Sequence, residues 1–266
     1  MERLRSGDAE IFYEIRGDGP PVVLLHPFPC HREFWFPVAA AIESRYRLIL
    51  PDLRGHGDSE VGEGPALMSK HAGDVARVLD AAGIGKATFV GCSIGGYILF
   101  EFWRRFRERV TSLVLCDTRP QADTAEARAN RLKAADAVLE QGTQAFIETM
   151  VPKLIGRTAL AMRPDLVDGV RTMMRKMSAE DISQVQRGMA ERPDSVADLK
   201  TIDVPTLIAI GEEDVLATVA DGELMRQNIA GSQLKVIPKA GHYAPWEQSE
   251  AVGTVLRQFL DNVALK

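Results

Sequence analysis

The chain has 266 residues, of which 45% are hydrophobic and 26% charged, and a formal net charge of −5. That is enough apolar material for one sizeable core within the single-domain range of α/β folds, and the mild acidity gives no electrostatic basis for a nucleic-acid partner. No apolar run approaches the ~18 residues of a membrane span and the opening MERLRSGDAEIFYEIRG has no signal-peptide core, so a cytoplasmic protein with no membrane partner is expected.

The first predicted strand, AEIFYEI at 9–15, stops at the turn Gly17-Asp18-Gly19-Pro20, and a second, VVLLH, follows at 22–26. A helix is predicted over 34–44, then the strand YRLILPD at 46–52. The next helix, over 69–82, carries Val75, Val78 and Leu79 on one face. The strand ATFVG at 87–91, a helix over 97–106 and the strand TSLVLCD at 111–117 complete the first half. From 119 to 200 the alternation stops: four helical segments follow one another with no strand pattern, which reads as an insertion. Asp123-x-x-Glu126 can cap one helix that Gly142 ends, Pro164 suits a first helical turn, and Ser178-x-x-Asp181 resembles a capping box. Leu166, Val170, Met173, Met174 and Met177 form an apolar stripe that serves either as ordinary packing or as a substrate-facing wall. Alternation then resumes with the strand PTLIAIG at 205–211, a helix over 219–230, the strand QLKVIP at 233–238 and a last helix over 247–263. Short strands alternating with helices imply a largely parallel sheet, hence the α/β class. Cys30, Cys92 and Cys116 lie far apart without paired spacing, so neither a disulfide framework nor a structural zinc is expected.

The stretch FVGCSIGGYILF, from Phe89 to Phe100, sets a serine between glycines where a strand gives way to a helical pattern. Such a turn holds Ser93 above the carboxyl edge of the sheet and offers the first helical amide, that of Ile94, to a developing oxyanion. A hydroxyl at neutral pH needs a base, and the base needs an orienting carboxylate. Of five histidines, His242 in AGHYAPWEQ follows the last predicted strand and reaches the same edge, whereas His26 precedes the serine turn and His31, His56 and His71 sit in a helix start, a turn and a helix. The carboxylate is expected from GEED after the strand 205–211. Asp214 is the choice, Glu212 and Glu213 read as solvated neighbours, and Asp117 at the end of SLVLCD is the rival. Cys92, one position before the turn, reads as a buried thiol.

The sequence resembles the α/β-hydrolase fold family in its lid-bearing branch of esterases, lactonases and perhydrolases. The likeness rests on HPFP at His26 to Pro29, DLRGHGDS at Asp52 to Ser59, GCSIGG at Gly91 to Gly96, and GEED with AGHYAPWEQ. It implies an eight-stranded, mostly parallel sheet, a core of 1–118 and 201–266, and a helical cap at 119–200. It also assigns the second oxyanion amide to Phe28. Family members commonly carry His-Gly where this chain has His26-Pro27; proline removes a donor, but the amide of Phe28 remains. DLRGHGDS reads as structural, its Asp52 and Arg54 tying strand ends together.

The expected reaction is cleavage of a carboxylic ester or lactone through an acyl-serine. His242 exchanges the protons and Asp214 holds its tautomer. The resemblance is nearest to hydrolases of the 3-oxoadipate enol-lactonase type. No metal or cofactor is called for, and the expected partner is a small-molecule ester or lactone bound by a monomer or homodimer. A serine at the turn disfavours the related dehalogenases and epoxide hydrolases, which use a carboxylate there. Carbon–carbon bond hydrolysis, perhydrolysis and a ligand-sensing role with slow turnover stay open. An insertion with Phe146 as its sole aromatic points to a largely apolar pocket. Trp35, Tyr97, Phe146, Met150, Met174 and Trp246 are its candidate walls, with core packing the competing reading for the aromatics.

Overall fold

A computed structural model describes residues 1–264. The strands are β1 (Glu2–Ser6), β2 (Ala9–Arg16), β3 (Pro21–Leu25), β4 (Arg47–Pro51), β5 (Ala87–Cys92), β6 (Val110–Cys116), β7 (Thr206–Gly211) and β8 (Gln233–Ile237). They form one eight-stranded sheet in the order β1-β2-β4-β3-β5-β6-β7-β8, with β1–β2 and β2–β4 antiparallel and every other pairing parallel. Flanking helices are α1 (Phe36–Ala39), α2 (Met68–Ala81), α3 (Ile94–Phe106), then α4 to α8 described below, α9 (Val219–Asn228), α10 (Ala244–Glu247) and α11 (Ser249–Ala264). Successive side chains of a strand point to opposite faces, so each central strand feeds two cores. Val23, Leu25, Phe89 and Leu115 pack with α2 and α3 on one face; Val22, Leu24, Val90 and Val114 pack with α1 and α11 on the other. Each such aliphatic side chain contributes about 1.5–3 kcal/mol by leaving water. Among the described residues no helix is long and apolar enough to cross a membrane.

Between β6 and β7 the chain leaves the sheet to form α4 (Ala125–Gln141), α5 (Thr143–Leu154), α6 (Arg157–Met162), α7 (Pro164–Met174) and α8 (Ala179–Ala190). Five helices thus stand where four were expected. Gly142, at φ 79°, ends α4 and immediately precedes α5, and Pro164 opens α7 as its first residue. The Ser178–Asp181 capping box is present, but α4 is capped by Thr124, whose side chain accepts from the Ala127 amide at 3.2 Å. Asp123 is drawn away by arginines instead. The predicted helix 34–44 is also corrected: a 3₁₀ turn at Arg32–Trp35 leads into the four-residue α1, and tight turns follow. β1 had no counterpart among the strands read from residue patterns, because ERLRS is a polar edge strand with little apolar alternation.

Candidate active site

Ser93 sits where β5 turns into α3. β5 lies between β3 and β6, with Gly91 opposite both Leu25 and Leu115, so its end is fixed from both sides. The serine backbone is forced to φ 54°, ψ −113°, a strained conformation held by its surroundings. Its amide donates to the Cys116 carbonyl (3.0 Å), and its own carbonyl accepts from Thr118 Oγ1 (2.8 Å) and the Gly96 amide (2.9 Å). Glycine is required around it: a Cβ on Gly91 would stand 2.5 Å from the Gly95 carbonyl carbon, one on Gly95 2.5 Å from the Leu25 carbonyl oxygen, and one on Gly96 2.3 Å from Thr118 Oγ1. The side-chain oxygen of Ser93 is left to face outward.

His242 follows β8 and Asp214 follows β7. Asp214 Oδ1 accepts from the amides of Leu216 (2.7 Å) and Ala217 (3.0 Å), leaving Oδ2 to meet His242 Nδ1 at 2.8 Å. His242 Nε2 lies 2.8 Å from Ser93 Oγ. With a carboxylate at Nδ1, that nitrogen carries the proton and Nε2 presents a lone pair to the serine hydroxyl. The structure thus joins Ser93, His242 and Asp214 in one chain. Asp117 does not take the imidazole: it accepts from the amides of Gly211 (2.7 Å) and Ala244 (3.2 Å), and burial, then the nearby charge of Asp214, push it well above the usual carboxylate range. Cys92 is buried, with its thiol toward the His242 carbonyl, and burial raises it well above its ordinary value.

Ser93 and His242 open into a cavity of about 80 Å³. Phe28, Tyr97 and Met150 line it, and Phe146 stands edge-on to Phe28 with ring centroids 5.9 Å apart. Ile94 begins α3, and the first amides of a helix have no acceptor within it. Phe146 itself does not line this cavity but a separate pocket with Ala134 and Val138 of α4, and the remaining candidates also lie elsewhere. Trp35 is fully buried in the core on the α1 and α11 face of the sheet, Met174 is buried with the Met173 stripe, and Trp246 stacks on Phe34 while donating to the Leu166 carbonyl at 3.2 Å. These three are core or seam residues because apolar faces were available to cover them. The methionines of the stripe line no part of this cavity; Met150 and Met189, outside it, do.

The pattern of apolar residues gave no hint of Arg119 and Arg131, which also line the cavity. Arg131 Nε and Arg192 Nη1 hold Asp123 at 2.8 and 2.7 Å, and Arg119 Nη2 approaches it only to 3.6 Å. Burial raises Asp123, but the hydrogen bonds and charges of Arg131 and Arg192 outweigh it and keep the carboxyl below its ordinary value. Among the described residues, three guanidinium groups around one carboxylate leave two positive charges unbalanced, and Arg119 Nε is buried without a partner. The usable signal was position: Arg119 stands two residues past Asp117, at the carboxyl edge itself.

The segments flanking the site are bolted to the fold. His26 Nε2 accepts from the Leu53 amide (2.9 Å), so Nδ1 donates to the Pro27 carbonyl (3.0 Å), and full burial keeps the ring neutral. Tyr243 Oη donates to the Phe28 carbonyl at 2.8 Å. Asp52 accepts from the Arg32 and Asp58 amides, and Arg54 bridges Asp74 and Asp8. DLRGHGDS therefore ties neighbouring segments together; it lines no part of the cavity, but its His56 ring stands edge-on to the cavity residue Phe28 at 5.8 Å.

The family profile described as alpha/beta hydrolase fold matches residues 20–249. A 3-oxoadipate enol-lactonase of Acinetobacter baylyi is 28% identical over 264 residues, covering 97% of each chain. The solved structure of a thermophilic esterase from Thermogutta terrifontis, with malate bound, superposes with a TM-score of 0.95 at 36% identity over 99% of both chains. The enol-lactonase from Burkholderia xenovorans reaches 0.91 at 25% identity, over 98% of this chain and 100% of that one. A sheet of this order, a serine at its strand–helix turn and relatives matched end to end have one common explanation: the chain belongs to the alpha/beta hydrolase fold family, among its esterase- and lactonase-like hydrolases.

Proposed function

We propose that the chain hydrolyses carboxylic esters or lactones of small molecules by a Ser93–His242–Asp214 triad. The observation that carries the reading is the unbroken hydrogen-bonded chain from Asp214 through His242 to Ser93, opening on a cavity. His242 takes the hydroxyl proton as Ser93 Oγ attacks the acyl carbon, and the amides of Ile94 and Phe28 receive the oxyanion. The imidazolium, stabilised by Asp214, returns the proton to the leaving oxygen. Water then gives its proton to His242 as its oxygen attacks the acyl carbon, and His242 passes that proton to Ser93 Oγ as the acid leaves. The inserted helices α4 to α8 act as a cap supplying the outer wall.

That wall makes the expected largely apolar pocket too simple. Arg119 and Arg131 line the same cavity as Ser93 in a cluster with excess positive charge, Arg131 bound to Asp123 and Arg119 with Nε unpartnered among the described residues, which supports a substrate bearing a carboxylate besides the bond that is cut. Malate in the Thermogutta esterase is a dicarboxylate, consistent with that reading. The direct test is Ser93→Ala against p-nitrophenyl esters and simple lactones. Turnover is expected to fall by at least ~10⁴-fold with the fold intact, whereas a variant that hydrolyses like the parent removes the serine from the chemistry.

A further inference from the structure

Beside each of the two triad residues His242 and Asp214 stands a glutamate that the chemistry does not use, Glu247 at the end of α10 and Glu213 on the loop after β7, and both grip the same turn of the inserted segment. Glu247 Oε1 accepts from the amides of Gly241 (3.0 Å) and Tyr243 (3.3 Å), on either side of His242, while Oε2 accepts from the Gly156 amide at 2.9 Å. Glu213, next to Asp214, accepts from the Thr158 amide (2.8 Å) and from Thr158 Oγ1 (2.6 Å). The turn from α5 into α6 is thus held by two carboxylates, one from α10 and one from the loop after β7. The backbones themselves touch: a Cβ on Gly241 would fall 2.3 Å from the Gly156 nitrogen, and one on Gly211, at the end of β7, 2.2 Å from the Gly241 carbonyl oxygen. Three backbones, from sheet, histidine loop and insertion, are stacked without room for a methyl group. Ser93, by contrast, is fixed by β5 and β6, by Thr118 and by the first turn of α3, with no contact from the insertion among these bonds.

We infer that Glu213 and Glu247 are positioning residues that clamp the Gly156–Thr158 turn, so that the placement of the inserted segment sets the alignment of Asp214 and His242. Displacing the turn then detunes proton transfer while leaving the cavity walls Arg119, Arg131 and Tyr97 in place. This rests on the hydrolytic reading, because detuning is measured as turnover. Misplacing a reacting group by about 1 Å costs on the order of 10²-fold in rate.

Gly156→Ala isolates the effect. At φ −64°, ψ 150° the backbone accepts alanine, but the new Cβ would stand 2.7 Å from both Glu213 Oε2 and the Gly241 nitrogen. Thr158→Val is the milder companion, deleting one donor to Glu213 at nearly constant volume, and Thr158→Ser restores it. With kcat normalised to sites counted by complete phosphonate labelling, kcat is expected to fall about tenfold or more in Gly156→Ala and severalfold in Thr158→Val. KM should stay within about threefold, and Thr158→Ser should return to the parental value. Equal kcat in parent, Gly156→Ala and Thr158→Val overturns the inference. A second arm needs no substrate: the downfield proton resonance of the His242–Asp214 hydrogen bond should move in Gly156→Ala and Thr158→Val but not in Thr158→Ser. If that resonance is unmoved throughout, the clamp does not reach the imidazole. If it moves as stated while the parent cleaves no ester, the clamp stands and the hydrolytic reading alone falls.

Discussion

The carboxyl edge of the sheet and the inserted helices meet across one cavity, yet they are held by different physics. At the edge, position comes from backbone: parallel ladders set the ends of β5, β7 and β8, and each triad residue follows one of them within a few positions. Glycines permit approaches that no other residue allows. On the insertion around the cavity, away from the Gly156 turn, position comes mainly from side chains. Asp123 is shared by arginines from the β6–α4 connection, α4 and the segment after α8, and Arg192 lies over the Tyr97 ring at 4.2 Å. A network of long side chains can be rewired by single substitutions without disturbing the ladders. Chemistry is therefore expected to be intolerant of change and substrate choice to be adjustable.

The sharpest way to break that contrast is Asp214→Asn. Asparagine keeps an acceptor for the Leu216 and Ala217 amides, so the loop should fold, but its other edge offers donors to Nδ1 and selects the wrong imidazole tautomer. A kcat loss of ~10⁴-fold is expected with little change in KM. A loss below tenfold would show that the edge is not the rigid partner.

The same contrast explains what could be read beforehand. Ser93, Asp214 and His242 were legible because apolar strands ending in Gly, Asp or His mark the edge of a parallel sheet, where loop residues converge. Arg119 and Arg131 were not, since an arginine on a connection or on a helix face reads as solvated surface until its neighbours in space are known. Trp35 and Trp246 were candidates for the pocket because aromatics suit pockets and cores equally; full burial decided for packing in Trp35, and stacking on Phe34 with a bond to the Leu166 carbonyl did so for the half-buried Trp246. Asp123 read as a cap by its spacing, and a partner eight residues on, Arg131, together with Arg192 outbid the helix terminus for it.

Next in expected size is a pH effect at the seam joining the two regions. Burial, opposed by the amides of Gly156, Gly241 and Tyr243, pushes Glu247 up to about 7, against an ordinary value near 4.5. Between those values the folded protein keeps a proton that the unfolded chain has released, so this carboxyl makes stability fall as pH rises from about 4.5 to 7. Glu247→Gln lacks that fall. The stability difference between parent and variant, from urea titrations at several pH values, should shrink by up to about 3 kcal/mol across the window. A constant difference would mean that Glu247 titrates normally and the seam is wet.

Smaller again, Arg119→Gln tests the adjustable side. One carboxylate–guanidinium bond is worth about 1.5–3 kcal/mol, so the ratio of kcat/KM for mono-p-nitrophenyl glutarate to that for p-nitrophenyl valerate should drop about 10–100-fold. Arg119→Lys should recover part of it, because charge survives but the fork is lost. A parent that prefers the neutral ester, with a ratio indifferent to Arg119, would return the pocket to an apolar one.

The smallest effect concerns the outer scaffold of the insertion. Ser178 Oγ accepts from the Asp181 amide at 3.1 Å, and Asp181 reaches back to the Ser178 amide at 3.1 Å, closing the first turn of α8. α8 lends Met189 to the cavity and Gln186 to Arg131 (2.9 Å), yet its cap lies two to three turns earlier and is exposed. Ser178→Ala should cost about 1 kcal/mol in urea denaturation and leave the glutarate-to-valerate ratio unchanged. If the ratio shifts with the cap, then the insertion transmits small strains along α8 to its arginines, and the division between a rigid chemical edge and a locally rewired wall gives way to one mechanically continuous site.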